Sequence, residues 1–598
     1  MSQMLTGYQL SLNFMAGIAL FVGAFLIYNT LSMTVAERSH ELGLLRCVGM
    51  TRRQVSSQVI IEGFILGIVG ALAGAGVGIL MSKGLTSLMS EILGQPLKTG
   101  SIPPDILATS MVIEIFVTLI SAFMPAYQAA RISPLEALQV RSRQGGGRLF
   151  KYGWIAGFLL LVLSAGILVW NPFPYDVQFR LGSMTVFALF LGATLMIPIT
   201  LRGWQRISRW PLRMLFSNLG EIGSRNLERA PKRTMLTCAA LMVGVSMIVS
   251  TLGITGSFTA DLNEWMDAYT GGDIFVGAAV PLTRNLQGNL ESLPGVETAT
   301  PVRTIEATWL RDDTKEKISF MGVDPASYTV VTRFVFSSTE VDKDKVLAEL
   351  SQGQSIFISE VIAQKYGVKV GDQLTLKTRG SNKDFTVAAV VLDFSNQGLV
   401  VTGNLSDLEK YFDVEDVNTF YVNTAEGVEI SETIRQIKDE YQEDYQLIIE
   451  SNSAIKERAD DLMQQAFSMF DVLGILAVMV AALGVLNTLS MSVVERTREI
   501  GMLRSMGMTR FQVVKMILAE AGLMGIIGGL LGLGLGLLLT KILLSAMGAM
   551  SGYSLEFIVP TKALWMSIVV ALVTSQLAAL LPAIRAANTP MLSAIHYE

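Results

Sequence analysis

The sequence predicts a polytopic α-helical membrane protein of about nine spans that carries one extracytoplasmic mixed α/β domain. Three observations predict it. The 598 residues are 51% hydrophobic and only 16% charged, with mean hydropathy +0.47, which is too apolar for an ordinary soluble chain of this length. Runs long enough to cross a bilayer recur near 12–33, 60–82, 107–129, 154–170, 183–201, 236–256, 467–489, 516–540 and 563–585. Between 257 and 465 no such run occurs, and Gly, Asp, Lys and Thr become common.

Loop charge orients the spans. Segment 34–59 holds Arg38, Arg46, Arg52 and Arg53, and segment 130–153 holds Arg131, Arg141, Arg143, Arg148 and Lys151. Segment 202–235 is richer still, whereas loops 83–106 and 171–182 contain only Lys83, Lys98 and Arg180. The positive-inside rule then puts the amino terminus outside, the carboxyl terminus in the cytoplasm, and 257–465 outside. No Lys or Arg lies in the first twelve residues, so no cleavable signal peptide is expected.

Two cytoplasmic segments say nearly the same thing. Residues 37–55 read ERSHELGLLRCVGMTRRQV and 495–513 read ERTREIGMLRSMGMTRFQV. In each, Glu37 and Glu41, or Glu495 and Glu499, stand one turn apart, and Leu42 with Leu45, or Ile500 with Leu503, give a short helix an apolar face. Gly49 and Gly507 are placed to end that helix in a left-handed cap. Thr51 with Gln54, and Thr509 with Gln512, then match a capping box that starts the next helix. Each segment reads as an elbow between two spans, with Arg38, Arg46, Arg496 and Arg504 among its charges. Solvated ion pairs explain such charges, at about a few tenths of a kcal/mol each, but not their repetition.

The repeat runs further. Asn29–Val55 equals Asn487–Val513 at 18 of 27 positions without a gap. In the following span Gly70, Gly74 and Gly78 align with Gly528, Gly532 and Gly536, a spacing read as helix packing. After the third span PAYQAARISP (125–134) is echoed by PAIRAANTP (582–590), and Ser133-Pro134-Leu135-Glu136 again reads as a helix start. The repeated unit is therefore three spans plus an elbow.

This pattern, NTLSM-x-V-x-ER-x-x-E-x-G-x-LR-x-x-GMTR-x-QV followed by a glycine-striped span and PA-x-x-AA, resembles the FtsX-like or MacB-like permeases of ABC transporters. LPGVETATPV (293–302), GVDP (322–325) and KYGVKVGDQLTL (365–376) resemble that family's periplasmic core domain. The chain then divides into a first unit (1–140), two connecting spans with a basic loop (141–235) and a span leading outward (236–256). The outside domain (257–465) and a second unit (466–598) follow. The resemblance implies a membrane subunit driven by a separate ATPase dimer on the cytoplasmic side that grips both elbows. Coupling falls to Glu37, Arg38, Glu41, Arg46, Gly49 and Thr51, and to Glu495, Arg496, Glu499, Arg504, Gly507 and Thr509. Related two-unit permeases have ten spans. Because Met1 aligns with Ala459, a leading span and an outside domain of about 200 residues have no counterpart before Met1, and the first half is expected to lack its front.

Other classes find no support. There is no G-x-x-x-x-G-K-[ST], so no nucleotide phosphate is cradled here, and ATP with Mg is expected on the partner, with no cofactor in this chain. No H-E-x-x-H occurs, and His40 and His596 have no neighbouring Cys or His. Two cysteines, Cys47 and Cys238, give neither a metal cluster nor a disulfide framework. No catalytic residue, metal site or nucleic-acid partner is expected. Glu62 and Glu520, just inside the second span of each unit, are expected to reach water or pair with an elbow arginine. Glu114, whose counterpart is Ala571, is expected to snorkel outward. The outside domain has about 35 acidic against about 18 basic residues, read first as solubility and second as a field for cationic peptides. Strands are predicted at Asp273–Val276, Thr304–Leu310, Ile318–Val323 and Phe385–Leu392, with a Ser359-capped helix ending at Gly367. Two functions follow: export or extraction of an amphiphile (a lipid-linked protein, a peptide or a macrolide), or force passed to an outside partner such as a cell-wall hydrolase. Besides the ATPase, the partners expected are membrane lipid and, in the second case, that outside protein.

Overall fold

A chain this apolar must satisfy its backbone internally wherever water is absent, so helices dominate outside 270–451. The structure, a computed structural model, describes residues 16–92, 103–132, 148–170, 175–216 and 231–589, with single or short groups of positions left out of these ranges, together with 220, 223 and 227. Seven of its helices are long and apolar enough to cross a membrane: Arg52–Gly84, Pro104–Ala130, Met184–Leu201, Thr234–Tyr269, Gly474–Glu495, Arg510–Ser545 and Thr561–Asn588. Of the nine predicted runs, 12–33 falls partly outside the described residues. Run 154–170 lies on the helix Arg148–Trp170, whose apolar stretch, Gly153–Ile167, is short for a span. The helix start predicted at 133–136 lies outside the described residues.

The chain forms two units, one holding Ile254–Ser468 with Leu543–Ile558, the other Leu12–Gly253, Met469–Ile542 and Val559–Glu598. The first contains a nine-stranded sheet, β1 (Ile274–Leu282), β2 (Val296–Arg311), β3 (Thr314–Val323), β4 (Ser355–Ser359), β5 (Gln373–Lys377), β6 (Asn382–Val391), β7 (Val400–Asn404), β8 (Val417–Thr424) and β9 (Ile448–Ser451). Their order is β3-β7-β4-β6-β5-β2-β8-β1-β9, and β2 also pairs with β3, from Val302↔Val323 to Arg311↔Thr314. Six strands thereby close on themselves, which removes their edges. All four predicted strands fall on strands of this sheet, with Asp273 and Leu392 just beyond the ends of β1 and β6. Alternation does the sorting: in β5, Leu374 and Leu376 are fully buried while Gln373 and Lys377 are exposed. Phe320 and Phe385 meet edge to face at 5.7 Å in the core, each contributing about 1.5–3 kcal/mol by burial.

The predicted capped helix is present at Glu360–Tyr366. Ser359 Oγ accepts from Ile362 N–H at 3.2 Å, and Gly367 takes φ +70. Asp393, on the loop after β6, is buried and accepts from Ser395 N–H at 2.8 Å; burial pushes its carboxyl above the ordinary range. Among the described residues no group of His, Cys, Asp or Glu is placed to hold a metal ion.

Candidate functional site

The second unit contains both elbows, and they are built alike. Their helices are Ser39–Cys47 and Thr497–Ser505. Gly49 (φ +111) and Gly507 (φ +101) turn left-handed after them. The following N–H groups reach back across the turn, Met50 to Leu45 O at 3.0 Å and Met508 to Leu503 O at 3.1 Å, which satisfies carbonyls the helix end leaves free. The capping boxes are reciprocal. Thr51 N–H donates to Gln54 Oε1 at 2.8 Å and Gln54 N–H to Thr51 Oγ1 at 3.3 Å, with the same two distances at Thr509 and Gln512.

Two arginines in each elbow tie it to its helices. Arg38 Nη1 meets Glu62 Oε1 at 2.9 Å, and Arg496 Nη1 meets Glu520 Oε2 at 3.4 Å while its Nε reaches Glu499 at 3.3 Å. The pairing expected of Glu62 and Glu520 is present. Arg46 donates to Ile132 O and Arg504 to Thr589 O, both carbonyls just past the third helix of the unit. Arg504 is only 9% exposed. These two arginines, expected as polar contacts for a partner, are engaged within the chain.

The elbow helix also buries one side. Leu42, Val55, Val59, Ala126 and Ala129 form a cluster in the first copy, and their counterparts Ile500, Val513, Ile517, Ala583 and Ala586 do so in the second. Leu45 is 45% exposed, against expectation, because Arg46, one turn after Leu42, takes the inward place. Facing solvent are Glu37, Glu41, Gly49 and Thr51 in one elbow, and Glu495, Glu499, Gly507 and Thr509 in the other. Between them stand Val48, 88% exposed, and Met506, 75% exposed. Sequence reasoning missed these two apolar tips. The available signal was an apolar residue immediately before the left-handed glycine in both copies.

The glycine stripes differ. A Cβ on Gly528 would come within 2.6 Å of Leu241 Cβ, on Gly532 within 2.6 Å of Met242 O, and on Gly536 within 2.6 Å of Val249 Cβ. These three seat the helix Pro231–Tyr269 backbone to backbone. Their counterparts do not pack so. Gly78 has nothing within 4 Å among the described residues, and Gly70 and Gly74 have Glu114 Oε1 and Oε2 at 3.4 and 3.5 Å. The Glu114 carboxylate thus leans on its neighbour's glycines.

A duplicated three-helix unit with tied elbows, seven apolar helices among the described residues and a strand-closed domain define a multi-pass membrane protein. The FtsX-like permease C-terminal domain matches residues 13–134 and again 472–591, and the MacB-like periplasmic core domain matches 234–440. The chain belongs to the FtsX-like and MacB-like family of ABC transporter permeases, and its strand-closed domain is extracytoplasmic. Over 615 residues it is 26% identical to an uncharacterised ABC transporter permease protein of Mycobacterium tuberculosis, covering 100% of this chain and 71% of that one. It is 25% identical to the pyoverdine export ATP-binding/permease protein PvdT of Pseudomonas fluorescens, over 61% of this chain and 57% of that protein. The macrolide export ATP-binding/permease protein MacB of Nitrobacter winogradskyi is 33% identical over 22% of this chain and 19% of its own. Among solved structures, the periplasmic region of MacB from Actinobacillus actinomycetemcomitans matches 32% of this chain and 95% of that one at 13% identity and a TM-score of 0.25. Such relatives imply an ATPase partner.

Proposed function

We propose that the chain is the membrane subunit of an ABC transporter in which a separate ATPase hydrolyses ATP and drives the extracytoplasmic domain to export or extract an amphiphile. The observation that carries this reading is the matched pair of elbows, each tied to two helices of its unit and offering an exposed apolar tip. Such a surface suits docking by a protein. ATP and Mg then belong to the partner, and loop charge puts the elbows and carboxyl terminus in the cytoplasm and the amino terminus outside. Relatives named for macrolide export and pyoverdine export support an amphiphilic substrate.

The test co-expresses this chain with the partner ATPase that the reading requires. The double variant Val48→Asp, Met506→Asp should stay in the membrane yet lose the ATPase on purification, since truncating or charging a buried interface anchor costs about 2 kcal/mol or more. The pair Glu41→Lys, Glu499→Lys should weaken it less. Normal co-purification with full stimulated ATP hydrolysis by the first variant would leave the elbows as solvated turns. Labelling of Thr509→Cys by an impermeant thiol reagent in intact cells would reverse the orientation.

A further inference from the structure

We infer that Ser257 and Asp261 form a proton-sensitive clasp, which fastens the helix leading into the outside domain to the strap that runs into the last helix, and so responds to extracytoplasmic pH. The strap is residues 555–559, in neither helix nor strand, between the helices Arg510–Ser551 and Thr561–Asn588. Ser257 and Asp261 stand one turn apart on the helix Pro231–Tyr269 and are both buried. Ile558 N–H donates to Ser257 Oγ at 3.1 Å, and Glu556 N–H to Asp261 Oδ2 at 3.0 Å. Alternate residues of an extended segment present their N–H groups on one side, and here both meet side-chain oxygens of one helix face. All four residues belong to the unit that holds the outside domain.

Asp261 lies about 40 Å along its helix from Thr234, past an apolar core of about 30 Å and on the side of the outside domain. The charges that act on it are all acidic: Glu556 on the strap, Glu264 on its own helix, and Glu360 at the start of the helix Glu360–Tyr366. On the helix Asn452–Glu495, whose Ile455 and Ala459 join the cluster around Leu262, Lys456 and Arg458 are paired elsewhere, with Asp267 and Glu450. Burial first, and then the three acids, outweigh the strap's N–H and push the Asp261 carboxyl up to about 6. Released from the clasp it would return to about 4. The clasped form therefore holds the proton more tightly. Clasping is strongest below about pH 4 and weakens as pH rises through about 6. A neutral Asp261 still accepts the Glu556 N–H, whereas an ionised one sits buried among three like charges.

The test places a spin label at Val559→Cys, an exposed position beside the clasp, in the full-length chain in lipid nanodiscs. Cys47→Ser removes the exposed native thiol, and Cys238 is buried. The ratio of mobile to ordered label should rise about tenfold from pH 5 to pH 7.5, the change required by a carboxyl at about 6 when clasped and about 4 when released. Asp261→Asn keeps the acceptor without the charge and should hold the strap ordered at both pH values. Ser257→Ala removes one bond and should raise mobility several-fold at each pH while leaving the tenfold slope intact. A label indifferent to pH, or a slope that survives Asp261→Asn, would overturn the inference. So would an unchanged strap in Ser257→Ala, because the hydroxyl would then fasten nothing.

Discussion

The two three-helix units share their elbows but not their surroundings. Leu523, Met524, Ile527 and Leu539 of the second unit are at most 2% exposed, while their counterparts Ile65, Leu66, Val69 and Met81 are 40–59% exposed. The same residue pattern is thus core in one copy and surface in the other. Burial here is decided by what the rest of the chain supplies: the helix Pro231–Tyr269, and Gly223, whose position lies against Met516 and Glu520. The ion pairs follow suit. Side-chain exposure is 49% and 36% for Arg38 and Glu62, but 18% and 8% for Arg496 and Glu520. Repetition fixed the local bonds; neighbours fixed their worth.

Substitutions at matched positions can break this contrast. The largest difference is expected at the glycines. Gly532→Leu forces a side chain onto Met242 O and should destabilise by about 3 kcal/mol, the upper part of the overpacking range, whereas Gly78→Leu should stay within about 0.5 kcal/mol. Unfolding in detergent, followed by the reactivity of the buried Cys238, measures both. Equal losses would mean that the stripes are packed alike. Next come the carboxylates. Glu520→Gln leaves Arg496 with Glu499 alone and should cost about 2 kcal/mol, within the range for a hydrogen bond to a charged group. Glu62→Gln breaks an exposed pair and should cost about 0–1 kcal/mol. The order of the two denaturation midpoints decides it, and a reversed order would refute the burial argument. Smallest is the capping box, where the copies should agree. Thr51→Ala and Thr509→Ala should each cost about 1 kcal/mol, and a clear inequality would show that the elbows are less alike than their distances.

Much of this was legible in the sequence for a physical reason. Capping boxes, left-handed glycines and strand alternation are local, so Thr51, Gly49, Ser359 and Leu374 could be assigned from their immediate neighbours. Glu62 and Arg38 were within reach because a span and an elbow are adjacent along the chain. The roles of Arg46 and Arg504 were not, since their acceptors, Ile132 O and Thr589 O, lie about 85 residues away and are backbone atoms without a sequence signature. Nor was the fate of the first glycine stripe, which depends on a helix packing from elsewhere. The closure of the sheet, through the pairing of β3 with the distant β7, was equally hidden, although the strands themselves were not.

The bond from each elbow arginine to the end of the third helix has a mechanical consequence. A hinge that joined only two rods would let a push on the elbow dissipate as a change of angle between them. With Arg38 fastening one side to the second rod and Arg46 fastening the other to the third, the joint is triangulated. Under the coupling proposed above, a displacement at the tip would turn the three rods together, with their far ends sweeping the widest arc.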